Sequence, residues 1–234
     1  MPRNVKLPDT PPKVTVETRS ESLFKQHCEV RGVSYRRIQE DGRKVADFEL
    51  DLPLGVAVAE IKQLDPNERD LAREALPPGT VAGAVIAPSG RLRNLLSDAY
   101  LQIKPYGDRG IPGMIVCYNN AGGINHIDNF SVTRAMFGGM AVYLALGQDG
   151  VIHHTGQGFT GQRKVTLTSF RALSAIGVLS TPTSDSTKLR MYHNPYASNP
   201  LPVVALQKLA DEQFGYSDPH GARNPEFLAH KLDV

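Results

Sequence analysis

The hydrophobic pattern of this chain changes period several times, and each change marks an element. Leu23, Phe24, His27 and Cys28 recur at the spacing of one helical face. Thr18, with Glu21 three positions on, has the capping-box pattern that opens such a helix, and Gly32 suits its stop. From Val33 to Ile38 the pattern is that of a strand, with Glu40-Asp41-Gly42 as a tight-turn signal after it. Two more strands are predicted over roughly 44–51 and 55–63, joined by Leu52-Pro53-Leu54-Gly55. The second, GVAVAEIKQL, is apolar on both faces until its end, as a central buried strand is.

Downstream, Asp65-Pro66 predicts the cap of a short helix ending before Pro77-Pro78-Gly79. A longer helix is expected from about Gly90 to Lys104, with Leu92, Leu95, Leu96, Ala99 and Ile103 as its apolar stripe. Gly113 to Tyr118 predicts another buried strand, Asn129 to Phe137 a helix and Ala141 to Leu146 a strand. Val151 to Gln162 is glycine-rich and is expected to be irregular. Ala172 to Leu179 and Lys188 to His193 predict late strands, and Pro202 to Phe214 a helix. This alternation points to a mixed α/β fold. The expected organisation is a proline-rich extended arm over 1–17, one α/β domain over 18–215 with its core in 18–120, and a polar peripheral tail over 216–234.

Composition narrows this little. The 234 residues are 41% hydrophobic and 21% charged, ordinary for a globular protein. A formal charge of +2, from 26 basic and 24 acidic residues, neither argues for nucleic acid nor excludes it. Cys28 and Cys117 fall on an apolar helix face and in an apolar strand, which predicts buried free thiols, and no zinc spacing is present. The start, MPRNVKLPDTPPK, lacks the apolar core of a secretion signal, and no apolar run is long enough to span a bilayer. A cytoplasmic, reducing compartment and no membrane partner are the expectation.

One pair of charges stands out against this background. Residues two apart on a strand share a face, so Glu60 and Lys62 project together from an otherwise apolar strand. A charge in a buried sheet is costly unless it is paired or holds a metal. Asp47 lies near the start of the preceding strand, across a hairpin-like connection, and is expected close to Glu60. Two carboxylates and a lysine suit phosphodiester hydrolysis: the acids bind Mg²⁺ (or Mn²⁺), and the metal activates water and neutralises charge on the phosphate. Lys62 would orient or help deprotonate that water, or stabilise the phosphate.

Asp47, twelve residues, then Glu60-Ile61-Lys62 resembles the PD-(D/E)XK nuclease superfamily, from about Glu21 to Tyr118. The resemblance implies a restriction-endonuclease-like fold, a mixed central sheet flanked by helices, with metal-dependent endonuclease activity, chiefly on DNA. It implies Asp47, Glu60 and Lys62 as catalytic residues, with Asp47, Glu60 and an early helical acid, Glu21, as metal ligands. Gln102 and Lys104, at the end of the following helix, would lie near the phosphate. The chain departs from the pattern at Ala46, where the family name has proline, and Glu49 and Asp51 are rival ligands if the register slips. Glu21 is also read as the closing member of the capping box, and Gln102 and Lys104 as an ordinary solvated helix end. RNA is an alternative substrate. The rival function keeps the fold without the chemistry: an inactive binding or scaffolding subunit in a nucleoprotein or defence complex. A homodimer or a larger assembly is compatible with either.

Other features carry weaker signals. His153-His154, and His193 with Asn194, invite a metal, acid-base or substrate role but have no companion ligand at fixed spacing. GQGFTGQRK lacks the lysine-serine ending of a phosphate loop. Arg36, Arg37, Arg91, Arg93, Arg163 and Lys164 are candidates for nucleic-acid backbone contact, ordinary surface charge being the plain alternative. No basic-aromatic interleaving marks a single-strand platform.

Overall fold

Thr18 and Glu21 form a reciprocal pair at the start of the first helix. In the computed structural model, which describes residues 17–39, 44–77, 88–120, 127–160, 163–183, 186–216 and 230–233, they close a complete capping box. The helix they open, α1 (Arg19–Arg31), stops at Gly32, whose φ of 62° is left-handed. β1 (Ser34–Arg37), β2 (Phe48–Leu52) and β3 (Gly55–Leu64) then form an antiparallel meander. Gly55, at φ 124°, makes the tight β2–β3 turn.

α2 (Glu68–Glu74) and α3 (Pro88–Gly107) lead to β4 (Gly113–Asn119), which is parallel to β3. After α4 (Asn129–Phe137), β5 (Gly139–Leu146) and β6 (Ile152–Thr160) make a separate two-stranded ribbon. The main sheet resumes with β7 (Leu173–Thr183), parallel to β4, and β8 (Ser186–His193), antiparallel to β7. β9 (Glu212–Gly215) runs parallel to β8, and β10 (His230–Lys231) antiparallel to β9. The eight-stranded order is β1-β2-β3-β4-β7-β8-β9-β10. The chain is therefore mixed α/β, a large mixed sheet flanked by helices.

Alternate residues of the central strands feed two cores. Val58, Ile115, Cys117, Ile176 and Val178 meet Leu92, Leu96, Ala99 and Ile103 of α3 and Met136 of α4. On the other face Ala57, Ala59, Ile61, Met114 and Val116 meet Phe24 and Cys28 of α1, with Leu206 and Leu209. Both faces of β4 are thus covered, which explains its uninterrupted apolar run. Both cysteines are buried free thiols, and burial pushes each up to about 12. No described helix is long and apolar enough to cross a membrane.

Several elements differ from the sequence expectation. Ile152–Thr160 of this stretch is strand: β6 pairs with β5 around a bulge, and its first half, Ile152 to Thr155, is exposed on both faces, so no alternation marks it. The helix expected over Pro202 to Phe214 reduces to one 3₁₀ turn, Val203–Leu206, followed by β9. The carbonyls of Lys208, Leu209 and Ala210 accept instead from Arg31 and His27 of α1, at 2.6, 2.7 and 3.2 Å. α2 is capped by Asn67 and Asp70, which exchange bonds of 2.9 and 3.0 Å, and not by Asp65-Pro66. Asp65 accepts from Gln63 and Asn120. Of the tail, β10 pairs with β9 at the edge of the sheet. The arm over 1–16 and the turn at Glu40-Asp41-Gly42 lie outside the described residues.

Candidate functional site

β2 and β3 bring the predicted acids together by register. Phe48 stands opposite Ala59, which brings the preceding residue, Asp47, beside Glu60 and Ile61 at the end of the β2–β3 ladder. The Asp47 main chain is held by the Ile38 amide, which donates to its carbonyl at 2.9 Å. Its side chain is held by the Ile61 amide, which donates to Oδ2 at 2.7 Å. The register rivals are elsewhere. Glu49 stands opposite Val58 and pairs with Arg36 at 2.6 Å, while Asp51 is exposed opposite Val56.

Glu60 is 0% exposed. Gln102 Nε2, reaching down from α3, and Lys62 Nζ, two residues along β3, both donate to its Oε1. Its Oε2 is buried without a hydrogen-bond partner. Burial foremost, and then the neighbouring Asp47 carboxylate, push Glu60 up to about 8, against the pull of Lys62. Asp47 is also raised, first by burial and further by Glu21, with the Ile61 amide opposing. The Lys62 side chain is partly exposed, so the centre is not sealed from solvent.

Glu21 satisfies both of its readings in part. It closes the capping box, accepting from the Thr18 amide at 2.6 Å, and its other oxygen accepts from Arg37 of β1 at 2.7 Å. Burial alone would raise this carboxyl, but the Thr18 and Arg37 hydrogen bonds hold it below its ordinary value. It is near enough to act on Asp47 electrostatically, yet its own oxygens are occupied. Arg37 is the member that sequence reasoning missed in this role: nothing in a short edge strand signals that its arginine turns toward a helix cap.

Lys104 does not join the centre. It is exposed and sits 3.6 Å from Asp108, just past the end of its own helix. Other candidates are absorbed by the fold. Arg91 pairs with Asp70 at 2.7 Å, Arg93 donates to the Arg134 and Ala135 carbonyls, and Arg163 donates to the Phe159 carbonyl. His193 meets Gln213 at 2.8 Å, and burial lowers its pKa. Asn194 donates to the Phe170 and Leu173 carbonyls and accepts the Tyr196 amide, tying a turn together. His153 is 3.5 Å from Asp149 on the ribbon.

Among the described residues no group of three or more His, Cys, Asp or Glu side chains converges as a ready metal cage. What the centre offers a hard cation is two carboxylates, one with an orphaned buried oxygen. A cleft of about 500 Å³ adjoins the Asp47 main chain, lined by Ile38, Gln39, Lys44, Val45, Pro105, Tyr106 and Arg109. Its charged residues, Lys44 and Arg109, are both cationic. No family model, curated protein or solved structure matches the chain.

Proposed function

We propose that the protein is a metal-dependent nuclease that hydrolyses phosphodiester bonds, with DNA as its first substrate, on a restriction-endonuclease-like fold. The observation that carries this reading is the buried Glu60 carboxyl beside Asp47, with one oxygen left unpartnered. A buried acid pair in a sheet core is strained as two charges and is relieved by a bound cation. Mg²⁺ and Mn²⁺ suit two carboxylates in a site that solvent still reaches, because such ions take oxygen ligands and Mg²⁺ retains several waters.

Asp47 and Glu60 would hold the ion, which when bound lowers the pKa of water and offsets charge on the phosphate. The Ile61 amide and Gln102 fix the two carboxylates, so little reorganisation is needed at the moment of reaction. Lys62, partly exposed beside Glu60, positions the attacking water or stabilises the phosphate oxygens. Lys44 and Arg109 in the adjoining cleft favour an anionic substrate strand.

The test is cleavage of plasmid and linear DNA, with an RNA arm, in Mg²⁺ or Mn²⁺. Glu60→Ala and Lys62→Ala are expected to lower the rate by roughly 10²-fold or more, the size of a lost electrostatic or proton-transfer contribution. Wild-type protein that never cuts, or variants that cut equally well, would leave the inactive scaffold as the better account.

A further inference from the structure

The cleft beside the Asp47 main chain is built differently from the carboxylate centre, and two contacts join them. Gln102, which holds Glu60, and Tyr106, which lines the cleft, lie four apart on α3 and share a helix face. From the other side, Ile38 lines the cleft and donates its amide to the Asp47 carbonyl at 2.9 Å. A ligand seated in the cleft is therefore next to both acids.

The lining has two parts. Ile38, Val45, Pro105 and Tyr106 form an apolar wall, in which Ile38 and Val45 are only partly buried against the core. Lys44 and Arg109 add two exposed cations, and no acid among the described residues lines the cleft. Neither cation pairs with a carboxylate among the described residues. Arg109 is nonetheless held in place. Its Nε donates to the Pro105 carbonyl at 3.1 Å, and its Cζ lies over the Tyr106 ring, 4.7 Å from the centroid. A guanidinium anchored at Nε and on one face keeps its terminal N–H donors for an anion and its other face for a stacked ring.

The two-part lining selects the ligand. A simple anion would use the cations and leave the apolar wall in water, and a purely apolar ligand would do the reverse. A nucleotide carries both parts: a phosphate for Lys44 and Arg109, and a base for the guanidinium face and the wall. The volume of about 500 Å³ falls among small-ligand sites and suits one nucleotide. A duplex offers the same phosphates but keeps its bases stacked on one another, so it reaches the cations and not the wall. We propose that the cleft binds one unpaired nucleotide of a nucleic-acid strand, its phosphate between Lys44 and Arg109 and its base on Arg109 and the apolar wall, beside the carboxylate centre. Resting on the nuclease reading, this site makes the preferred substrate a single strand or a frayed end.

Fluorescence anisotropy of the full chain with a short labelled oligodeoxynucleotide, in chelator so that binding is separated from cutting, tests this. The single strand is expected to bind roughly 10-fold tighter than its blunt duplex, as one stacked base would give. Arg109→Ala is expected to weaken strand binding by roughly 10-fold and to lower the salt slope by about 0.7, one phosphate contact on a single strand. Arg109→Lys keeps that slope but loses the planar group, so the preference for single strand over duplex falls. Lys44→Ala lowers the slope as Arg109→Ala does. Lys104→Ala, at an exposed lysine of α3 outside the cleft, changes neither affinity nor slope. Equal binding of strand and duplex, or a Lys104→Ala loss as large as that of Arg109→Ala, overturns the site. No binding up to roughly 100 µM, above the micromolar range of modest affinities, overturns it too. So does inorganic phosphate or deoxyadenosine monophosphate that binds as tightly as the strand, since the cleft would then serve a free anion or nucleotide. Cleavage in Mg²⁺ without preference for unpaired substrate removes this site and leaves the nuclease reading standing; strand binding as expected, with no cleavage, does the reverse.

Discussion

Asp47 lies one residue before the Phe48–Ala59 pair that begins the β2–β3 ladder, and its carboxylate adds to the cost of ionising the buried Glu60. A raised carboxyl has a definite effect on stability. With Glu60 held near 8 in the fold and 4.5 as the reference value, the folded state binds more protons between these limits. Stability from this group is therefore complete below about 4.5, falls as pH rises toward 8, and is level above that. The slope is at most about 1.4 kcal/mol per pH unit for one proton. His27 and His193, lowered by burial, act oppositely and lose stability as pH falls below their ordinary range. The wild-type minus Glu60→Gln difference in unfolding free energy, measured metal-free from pH 5 to 9, isolates the carboxyl. A difference that does not decline with pH contradicts the assignment.

A cation bound by Asp47 and Glu60 stabilises the fold by mass action. At a metal concentration a hundredfold above the dissociation constant the gain is about 2.7 kcal/mol, or roughly 5–10 °C in Tm for a domain of this size. Thermal scans in Mg²⁺ and Mn²⁺ against chelator should show this rise for the wild type and not for Asp47→Ala. The rise should grow between pH 6 and 8, as Glu60 gives up its proton. Equal shifts in both proteins would mean that metal binds elsewhere.

Gln102 tests whether α3 serves the centre or only covers it. Its amide donates to Glu60 Oε1 from the position just before Ile103 and six residues after Leu96, two of the apolar positions that seat α3 on the sheet. Gln102→Ala removes the support of a ligand and is expected to weaken metal binding by roughly 10-fold or more while the helix stays docked. Lys104→Ala, in an exposed pair with Asp108, is expected to change neither. Calorimetric titration with Mn²⁺ compares the two; equal affinity would reduce Gln102 to packing.

The legible parts of the sequence were those where burial imposed a period. α1 and α3 announced themselves through a capping box and an apolar stripe, and β3 through an apolar run whose charged interruptions are Glu60 and Lys62. That interruption made the centre visible, because an apolar strand tolerates charge only for a reason. The ribbon was half hidden, since β6 from Ile152 to Thr155 is bathed on both faces and nothing selected its alternation. The region after Pro202 was misread because its leucines recur at helical spacing. Its carbonyls, however, bond to His27 and Arg31, residues some 180 positions earlier that no local pattern reveals. Arg37, bound to Glu21, belongs to the same class of long-range fact.

Gly177 sets the spacing of the central strands and is a position where glycine is required by neighbours and not by backbone angle. It lies in β7 opposite Met191 of β8 and Val116 of β4. A Cβ built there would meet Met191 Sδ and Val116 Cγ2 at 3.0 Å and Leu189 Cδ1 at 3.1 Å. All three are side-chain atoms, and the thioether and the leucine can turn aside, so the core yields at a cost instead of breaking. Gly177→Ala is expected to destabilise the protein by about 1–3 kcal/mol through overpacking. Gly107 faces a harder wall: its added Cβ would lie 2.3 Å from Ala172 Cβ and 2.8 Å from Ala172 Cα, so the end of α3 must move from the start of β7. Gly107→Ala should therefore cost more than Gly177→Ala, and because it shifts α3 it should also loosen the Gln102–Glu60 contact. Urea unfolding gives the order of stabilities, and Mn²⁺ affinity reads the contact. A Gly107→Ala protein as stable as wild type would show that α3 does not approach β7 this closely.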